Sequence, residues 1–258
     1  MNWRIHHRAE TVSTNLDARA GAPGDVYTAD YQTAGRGRLD HKWLSPPGTN
    51  LMMSVVLSVG GLSPEQVATL PLVIGLAVAR AVSAAWQDEA SCPQNRQSPI
   101  CVGRTPSSCQ VRLKWPNDVL ANGRKLAGIL CERQGDRVIA GIGVNVGQTT
   151  FDPEIAGKAT SLLVLIGSSG VCPPVDEVRE AVLDQIGALY ELWLREGFRS
   201  VYPQIVALDC LRGQTLSVLQ TDDDVEPVSG LCGGIQPDGS LAVGGRPIYA
   251  GEAHIVQK

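Results

Sequence analysis

The sequence predicts an α+β fold: a large domain in which strands and helices intermix, followed by a small C-terminal barrel of SH3 or similar type. Three observations carry this. A fully apolar run of strand length, Leu51 to Val59, is followed by an apolar stretch of helix length, Pro64 to Trp86. Asn122-Gly123 joins two apolar runs, the strongest short hairpin signal, because both turn positions need positive φ. From Leu208 onward the chain breaks into short strands separated by Asp and Gly, the pattern of a small barrel.

Taken in order, Asp25 to Tyr31 predicts a strand, Leu51 to Val59 a second and fully buried one, and Pro64 to Trp86 a core helix with apolar residues on most faces. Between the two strands, Gln32 to Asn50 is rich in Gly, Arg, Pro and Ser, too long and too polar for a simple connection, as functional loops are. Glu89 to Gln110 reads as a surface insertion: it holds Pro93, Pro99, Pro106, and Cys92, Cys101 and Cys109 at spacings unlike compact zinc sites. A strand meander follows, with Val111 to Lys114, Val119 to Ala121, Arg124 to Arg133 and Arg137 to Val146. Asp176 to Glu196 returns to helical spacing, with Val178, Val182, Ile186, Leu189 and Trp193 along one side. The tail offers Thr215 to Leu219, Pro227 to Ile235, Ser240 to Gly244 and Pro247 to Val256 as strands. The expected division is therefore residues 1–207 and 208–258, with 89–110 as the insertion.

Composition bounds the function. The 258 residues carry 22 Lys and Arg against 26 Asp and Glu, a net charge of −4, with 43% hydrophobic and 19% charged residues. That excludes disorder of the whole chain and argues against a global electrostatic grip on nucleic acid or on an acidic membrane. The apolar window Val67 to Trp86 is interrupted by Pro71 and Arg80, so it reads as a core helix and not a membrane span. Met1 to Glu10 places Arg4, His6, His7 and Arg8 where a secretory signal would have its apolar run, and seven cysteines without a CxxC pair fit reduced thiols. The cytoplasm is the expected compartment.

Gln32-Thr33-Ala34-Gly35-Arg36-Gly37-Arg38 sets two arginines two residues apart, each preceded by glycine. In an extended segment both guanidinium groups point to one side and could meet one phosphate or carboxylate; a solvated basic loop is the other reading of the same residues. Two neighbouring cations also predict a loop that stays mobile until an anion orders it. Lys125, just past the Asn122-Gly123 turn, borders the small, apolar Leu126 to Leu130, where it could meet an acid lying across the sheet or simply be solvated. Gly128, Gly141 and Gly143 inside strands favour the first, because glycine weakens a strand unless something approaches closely. Gly141-Ile142-Gly143-Val144-Asn145-Val146-Gly147 has the wrong spacing and context for a dinucleotide fingerprint. Ser13-Thr14-Asn15 suits a helix N-cap or a set of hydrogen bonds to a polar ligand. No nucleophilic triad or metal-ligand histidine spacing is present. Such a cationic, glycine-lined site suits a reaction whose substrates bring their own nucleophile and electrophile, as in nucleotidyl transfer.

The ordered set Ser13-Thr14-Asn15, Gln32 to Arg38, Lys114-Trp115-Pro116-Asn117-Asp118, Lys125 to Leu130, Gly141 to Asn145 and Ala159-Thr160-Ser161-Leu162 resembles the bacterial biotin protein ligases over nearly the whole chain. The resemblance implies a mixed-sheet catalytic domain of biotin/lipoate ligase type with an SH3-like C-terminal domain. It implies ATP and biotin as substrates, assisted by Mg²⁺. Biotin would be converted to biotinyl-5′-AMP and passed to a lysine of a biotin carboxyl carrier domain, as in acetyl-CoA carboxylase. Ser13, Thr14, Asn15 and Gln32 would hold the ureido end, Arg36, Gly37 and Arg38 would close over the intermediate, and Lys125 would meet the carboxylate or phosphate. Lys114, Asn117 and Asn145 would face the adenylate, with Asp118 toward Mg²⁺ or a lysine. Family members that repress transcription carry an N-terminal winged helix; with twelve residues ahead of Ser13, no DNA binding is expected, nor a membrane partner, and the chain would be a monomer or homodimer. A lipoate or octanoate ligase or transferase of the same fold, and a non-catalytic biotin- or nucleotide-binding module, are the alternatives. The first lacks its glycine-rich, histidine-bearing motif here, and the second leaves Arg36 and Lys125 without a role.

Overall fold

The computed structural model describes residues 1–39, 41–90, 110–167, 171–219 and 226–256, with the backbone alone at 85–90. Its centre is a seven-stranded mixed sheet in the order β1-β2-β3-β7-β6-β5-β4. The strands are β1 (Arg4–Thr11), β2 (Asp25–Gln32), β3 (Leu51–Ser58), β4 (Val111–Lys114), β5 (Asp118–Ala121), β6 (Arg124–Gln134) and β7 (Arg137–Val144). Only β1 and β2 pair in parallel, across a crossover that holds the four-residue helix α1 (Thr14–Asp17). β1 has no hydrophobic pattern to announce it: RIHHRAET is exposed almost throughout, an edge strand held by main-chain pairing and by Arg4 and His6, which reach Asp25 at 2.7 and 3.1 Å.

β3 is buried on both faces, which is why it reads as a continuous apolar run. Leu51, Met53, Val55 and Leu57 face the main core, and Val56 packs with Ala18 and Ile139 on the other face. The core face is covered by helices. The expected single helix is two, α2 (Pro64–Ala68) and α3 (Leu70–Ala90). Pro71 explains the break: it lacks an amide hydrogen, which costs nothing in the first turn of a new helix and would cost a bond inside a continuous one. Ser63 and Gln66 close a capping box on α2. After the short α4 (Leu162–Ile166), α5 (Val175–Glu196) buries Val178, Val182, Ile186, Leu189 and Trp193, the expected stripe. A further helix, α6 (Tyr202–Leu208), lies outside the sequence expectation. The Glu89 to Gln110 insertion, with Cys92, Cys101 and Cys109, falls mostly outside the described residues.

The second sheet is antiparallel, in the order β11-β10-β9-β8-β12, and is open, with no pairing between its two edge strands among the described residues. Its strands are β8 (Thr215–Leu219), β9 (Val228–Ile235), β10 (Leu241–Val243), β11 (Arg246–Ile248) and β12 (Glu252–Ile255). The run expected as one strand from Pro247 to Val256 is split, because Gly251 sits at φ 143° and re-aims the chain. Leu216, Val218, Cys232, Ile235, Leu241 and Val243 join the same hydrophobic cluster as the central sheet. Polar ties cross the same boundary: Trp115 Nε1 donates to the Gly239 carbonyl at 3.0 Å, and Asp209 accepts from the Ile235 amide at 2.9 Å.

Candidate active site

On the sheet face opposite α3 and α5, the strand register lines up small residues. Ser54, Gly141 and Leu130 form one cross-strand row, Met52, Gly143 and Gly128 the next, and Val56, Ile139 and Glu132 a third. The glycines exist for close approach. A Cβ at Gly141 would overlap the Asn15 amide, one at Gly143 would overlap the Trp43 indole, and one at Gly128 would meet that indole at 3.2 Å. Above this floor opens a cleft of about 720 Å³. Ser13, Thr14, Asn15, Gln32, Arg36, Gly37 and Arg38 line it, as do Lys114, Asn117, Asp118, Lys125 and Asn145. Every candidate site residue named from the sequence therefore faces one space. A second hollow of about 510 Å³, beside Gln110, Arg112 and Asp209, contains none of them.

One end of the cleft is a chain of hydrogen bonds. Gln32 Oε1 accepts from the Thr14 amide at 2.8 Å and lies 3.1 Å from its hydroxyl. Ser54 Oγ is 2.8 Å from Thr14 Oγ1 and 2.6 Å from Asn15 Oδ1, and Asn15 Nδ2 donates to Glu132 at 2.6 Å. Ser13 stands at the N-cap position but its side chain makes no capping bond, so local helix stabilisation does not account for the Ser-Thr-Asn run.

The arginine loop is a tight hairpin and not an extended segment. The Gly37 amide donates to the His41 carbonyl at 2.6 Å and the Trp43 amide to the Gly35 carbonyl at 2.9 Å, which returns the indole over the glycine floor. The two guanidinium groups diverge. Arg36 Nη1 pairs with Glu132 at 3.2 Å, whereas Arg38 reaches Asn117 Oδ1 at 3.4 Å and the Gly251 carbonyl at 3.3 Å. Burial pulls the Arg38 guanidinium below its usual value, and the nearby carboxylates of Asp118 and Glu252 oppose that pull. Lys125 Nζ pairs with Asp118 Oδ1 at 2.7 Å and stands 5.9 Å from the centre of the Trp43 ring. Arg38, Lys42, Lys114 and Lys158 line the cleft with no carboxylate within ion-pair distance among the described residues, so their charge is not neutralised by a direct ion pair. Asn117 donates to the Ile129 carbonyl at 2.8 Å and Asn145 to the Thr160 carbonyl at 3.0 Å, so both hold the cleft wall together.

Trp43, which lines the cleft, and Ser54 and Glu132, which hydrogen-bond its lining residues, were absent from the sequence reading of the site. Ser54 had a signal, as the one polar residue between Leu51 and Leu57. Glu132 shares the site face of β6 with Gly128 and Leu130 at period two.

The sequence matches the Biotin/lipoate A/B protein ligase family over residues 7–148. The chain belongs to this family. It is 33% identical to the biotin--[acetyl-CoA-carboxylase] ligase of Mycobacterium tuberculosis, over 98% of this chain and 89% of that protein. It is 27% identical to the bifunctional ligase/repressor BirA of Escherichia coli, over 84% of this chain and 61% of that protein. Among solved structures, the biotin protein ligase from Aquifex aeolicus in complex with biotin and ATP superposes with a TM-score of 0.78 at 27% identity, covering 98% of this chain and 99% of that one. A point mutant of that Aquifex protein, in complex with biotin, gives 0.79 at 27% identity, covering 100% of this chain and 99% of that one. As a biotin/lipoate-family member, the chain carries its cleft residues on the same mixed-sheet frame.

Proposed function

We propose that this chain is an ATP-dependent biotin protein ligase. The observation that carries the reading is the polarity of the cleft. A hydrogen-bonding cluster of Thr14, Asn15, Gln32 and Ser54 stands over Gly141, and the Lys125 cation stands beside Gly128, one cross-strand row away. Two residues along a strand span about 7 Å. That suits a ligand with a polar ring at one end and a carboxylate at the other.

In the first step a biotin carboxylate oxygen attacks the α-phosphorus of ATP, the bond to the β-phosphate bridge breaks, and pyrophosphate leaves. Two anions must be brought together, so the chemistry needs cations held in place beforehand. Lys125 serves the carboxylate, and Arg38 and Lys114 serve the phosphate. In the second step a carrier-domain lysine nitrogen attacks the acyl carbon, AMP leaves with the bonding pair, and the amine gives up a proton. Ser13, Thr14, Asn15 and Gln32 hold the ureido ring, Arg36, Gly37 and Arg38 cover the intermediate, and Asn117 and Asn145 shape the nucleotide wall. Magnesium enters as part of the nucleotide substrate. Asp118, whose Oδ1 pairs with Lys125 at 2.7 Å, lines the same cleft and is the carboxylate on the Lys125 side that would face Mg²⁺ or a lysine. The acceptor in this reading is a biotin carboxyl carrier domain, and the cytoplasm is the compartment proposed for the reaction. One stretch, Pro64–Ala84, is long and apolar enough to cross a membrane by composition, but 72% of its most apolar window is buried in this fold.

Mass spectrometry of a carrier domain incubated with the protein, ATP, Mg²⁺ and either biotin or lipoate tests the proposal. One biotinyl group on a single lysine is expected. Lipoyl transfer in its place, or biotin binding without transfer, overturns it.

A further inference from the structure

Glu132 places a carboxylate directly behind two residues that line the cleft, Asn15 and Arg36, beside a space that must receive a carboxylate and a triphosphate, so it requires a reason. Both of its oxygens are in use. Oε2 accepts from Asn15 Nδ2 at 2.6 Å and Oε1 from Arg36 Nη1 at 3.2 Å, with the side chain 27% exposed. These two contacts join elements far apart in sequence, 117 residues from Asn15 and 96 from Arg36.

We propose that Glu132 is a positioning residue, holding the arginine loop in its closed place and setting the direction of the hydrogen-bond chain at the polar end of the cleft. The inference rests on the ligase reading above. The direction follows from donor and acceptor inventory. An ionised carboxylate only accepts, so Asn15 must turn its NH₂ toward Glu132 and its Oδ1 toward Ser54, which then donates to it. The opposite amide orientation would set oxygen against a carboxylate. Arg36 gains an anion from within the protein, so the expectation that the loop has nothing to order it without ligand fails for this residue. The two arginines therefore divide the work: Arg36 anchors and Arg38 is left for the substrate. Gly35 supports the division, because a Cβ there would collide with the Trp43 carbonyl and open the hairpin.

Glu132→Gln and Glu132→Ala separate this role from mere packing. Gln has the same shape and can keep the Asn15 contact through its carbonyl oxygen, but it loses the charge that holds Arg36. In biotin-dependent ATP–pyrophosphate exchange, Glu132→Gln should raise the KM for biotin about three- to tenfold, the range of a half-exposed charge-assisted contact, with kcat changed less than about twofold. Glu132→Ala, which also frees Asn15, should raise it further. Tryptic cleavage within 35–43 of the ligand-free protein should be faster in both variants, at an unchanged thermal midpoint. In an Arg36→Ala background, Glu132→Gln should add less than about twofold. An unchanged KM with unchanged loop cleavage overturns the proposal, as does a parallel fall in kcat and thermal midpoint with the loop equally protected. If the parent protein shows no biotin-dependent exchange, the ligase reading fails, and loop cleavage alone then decides the anchoring role.

Discussion

Replacing Gly143 with Ala adds one methyl group at the most crowded point of the cleft floor. Gly143 has an ordinary strand backbone, so alanine fits its dihedral angles, and the whole effect comes from the indole of Trp43 lying where the Cβ would go. In the ligand-free protein the half-buried indole can swing off its loop, so the overlap is relieved and the thermal midpoint should move by no more than about 2–4 °C. If bound ligand holds the indole over the floor, where it lies in this structure, the overlap is not relieved. Overpacking of this kind costs about 1–3 kcal/mol. At about 1.4 kcal/mol per tenfold, the apparent affinity for biotin should fall by about five-fold to about 140-fold. Gly128→Ala is the internal control, because its Cβ would sit 3.2 Å from Trp43 and 3.2 Å from Lys125 Cε, a contact that flexible side chains absorb. Its KM should shift less than about threefold by the same arithmetic. The assay is pyrophosphate exchange at varied biotin alongside thermal melts. A Gly143→Ala protein within twofold of the parent, or one less impaired than Gly128→Ala, refutes the argument that the glycines are there for the indole.

Lys125→Ala should abolish adenylate formation while leaving the melting curve in place, because the side chain is 38% exposed and contributes charge more than core; loss of activity and stability in step would count against it. Arg38→Gly should let the intermediate form but escape sooner, seen as faster dissociation of biotinyl-adenylate after an ATP pulse and as labelling of bystander lysines; retention as tight as the parent's would reject the clamp. Asp25 is held down to about 2 by the Ala22 amide first, with His6 and Arg4 adding to it. A folded-state value below the unfolded one of about 3.9 means its stabilisation is complete above that pH and drains away as pH falls toward about 2. Denaturant melts should show that acid limb in the parent and a flatter one in Asp25→Asn; identical slopes would remove Asp25 from the account.

What could be read from the residues was whatever burial writes as a pattern. β3 is apolar at all but two positions because both its faces are covered, and α5 carries its stripe because one side packs on α3 and the sheet beneath it. The Asn122-Gly123 turn has φ of 50° and 77°, the backbone its composition demanded. The glycine floor was legible as a place of close approach, though what approaches it was not. Trp43 reaches Gly143 only because the loop doubles back, and Glu132 meets Asn15 only because the sheet inserts β7 between β3 and β6. Such juxtapositions are set by topology, which leaves no local periodicity. β1 was invisible for the opposite reason: an edge strand with both faces wet has nothing to alternate.

The contact between Arg38 and the Gly251 carbonyl spans 213 residues of chain. Translation at about 5–20 residues per second puts roughly 10–40 s between the synthesis of the two partners. During that interval the emerging chain has its arginine loop and, later, its glycine floor, but not the wall that Gly251 and Glu252 provide. A nascent ligase would thus acquire its substrate-binding surfaces in sequence and its closing wall last, so that retention of the adenylate is the property completed last.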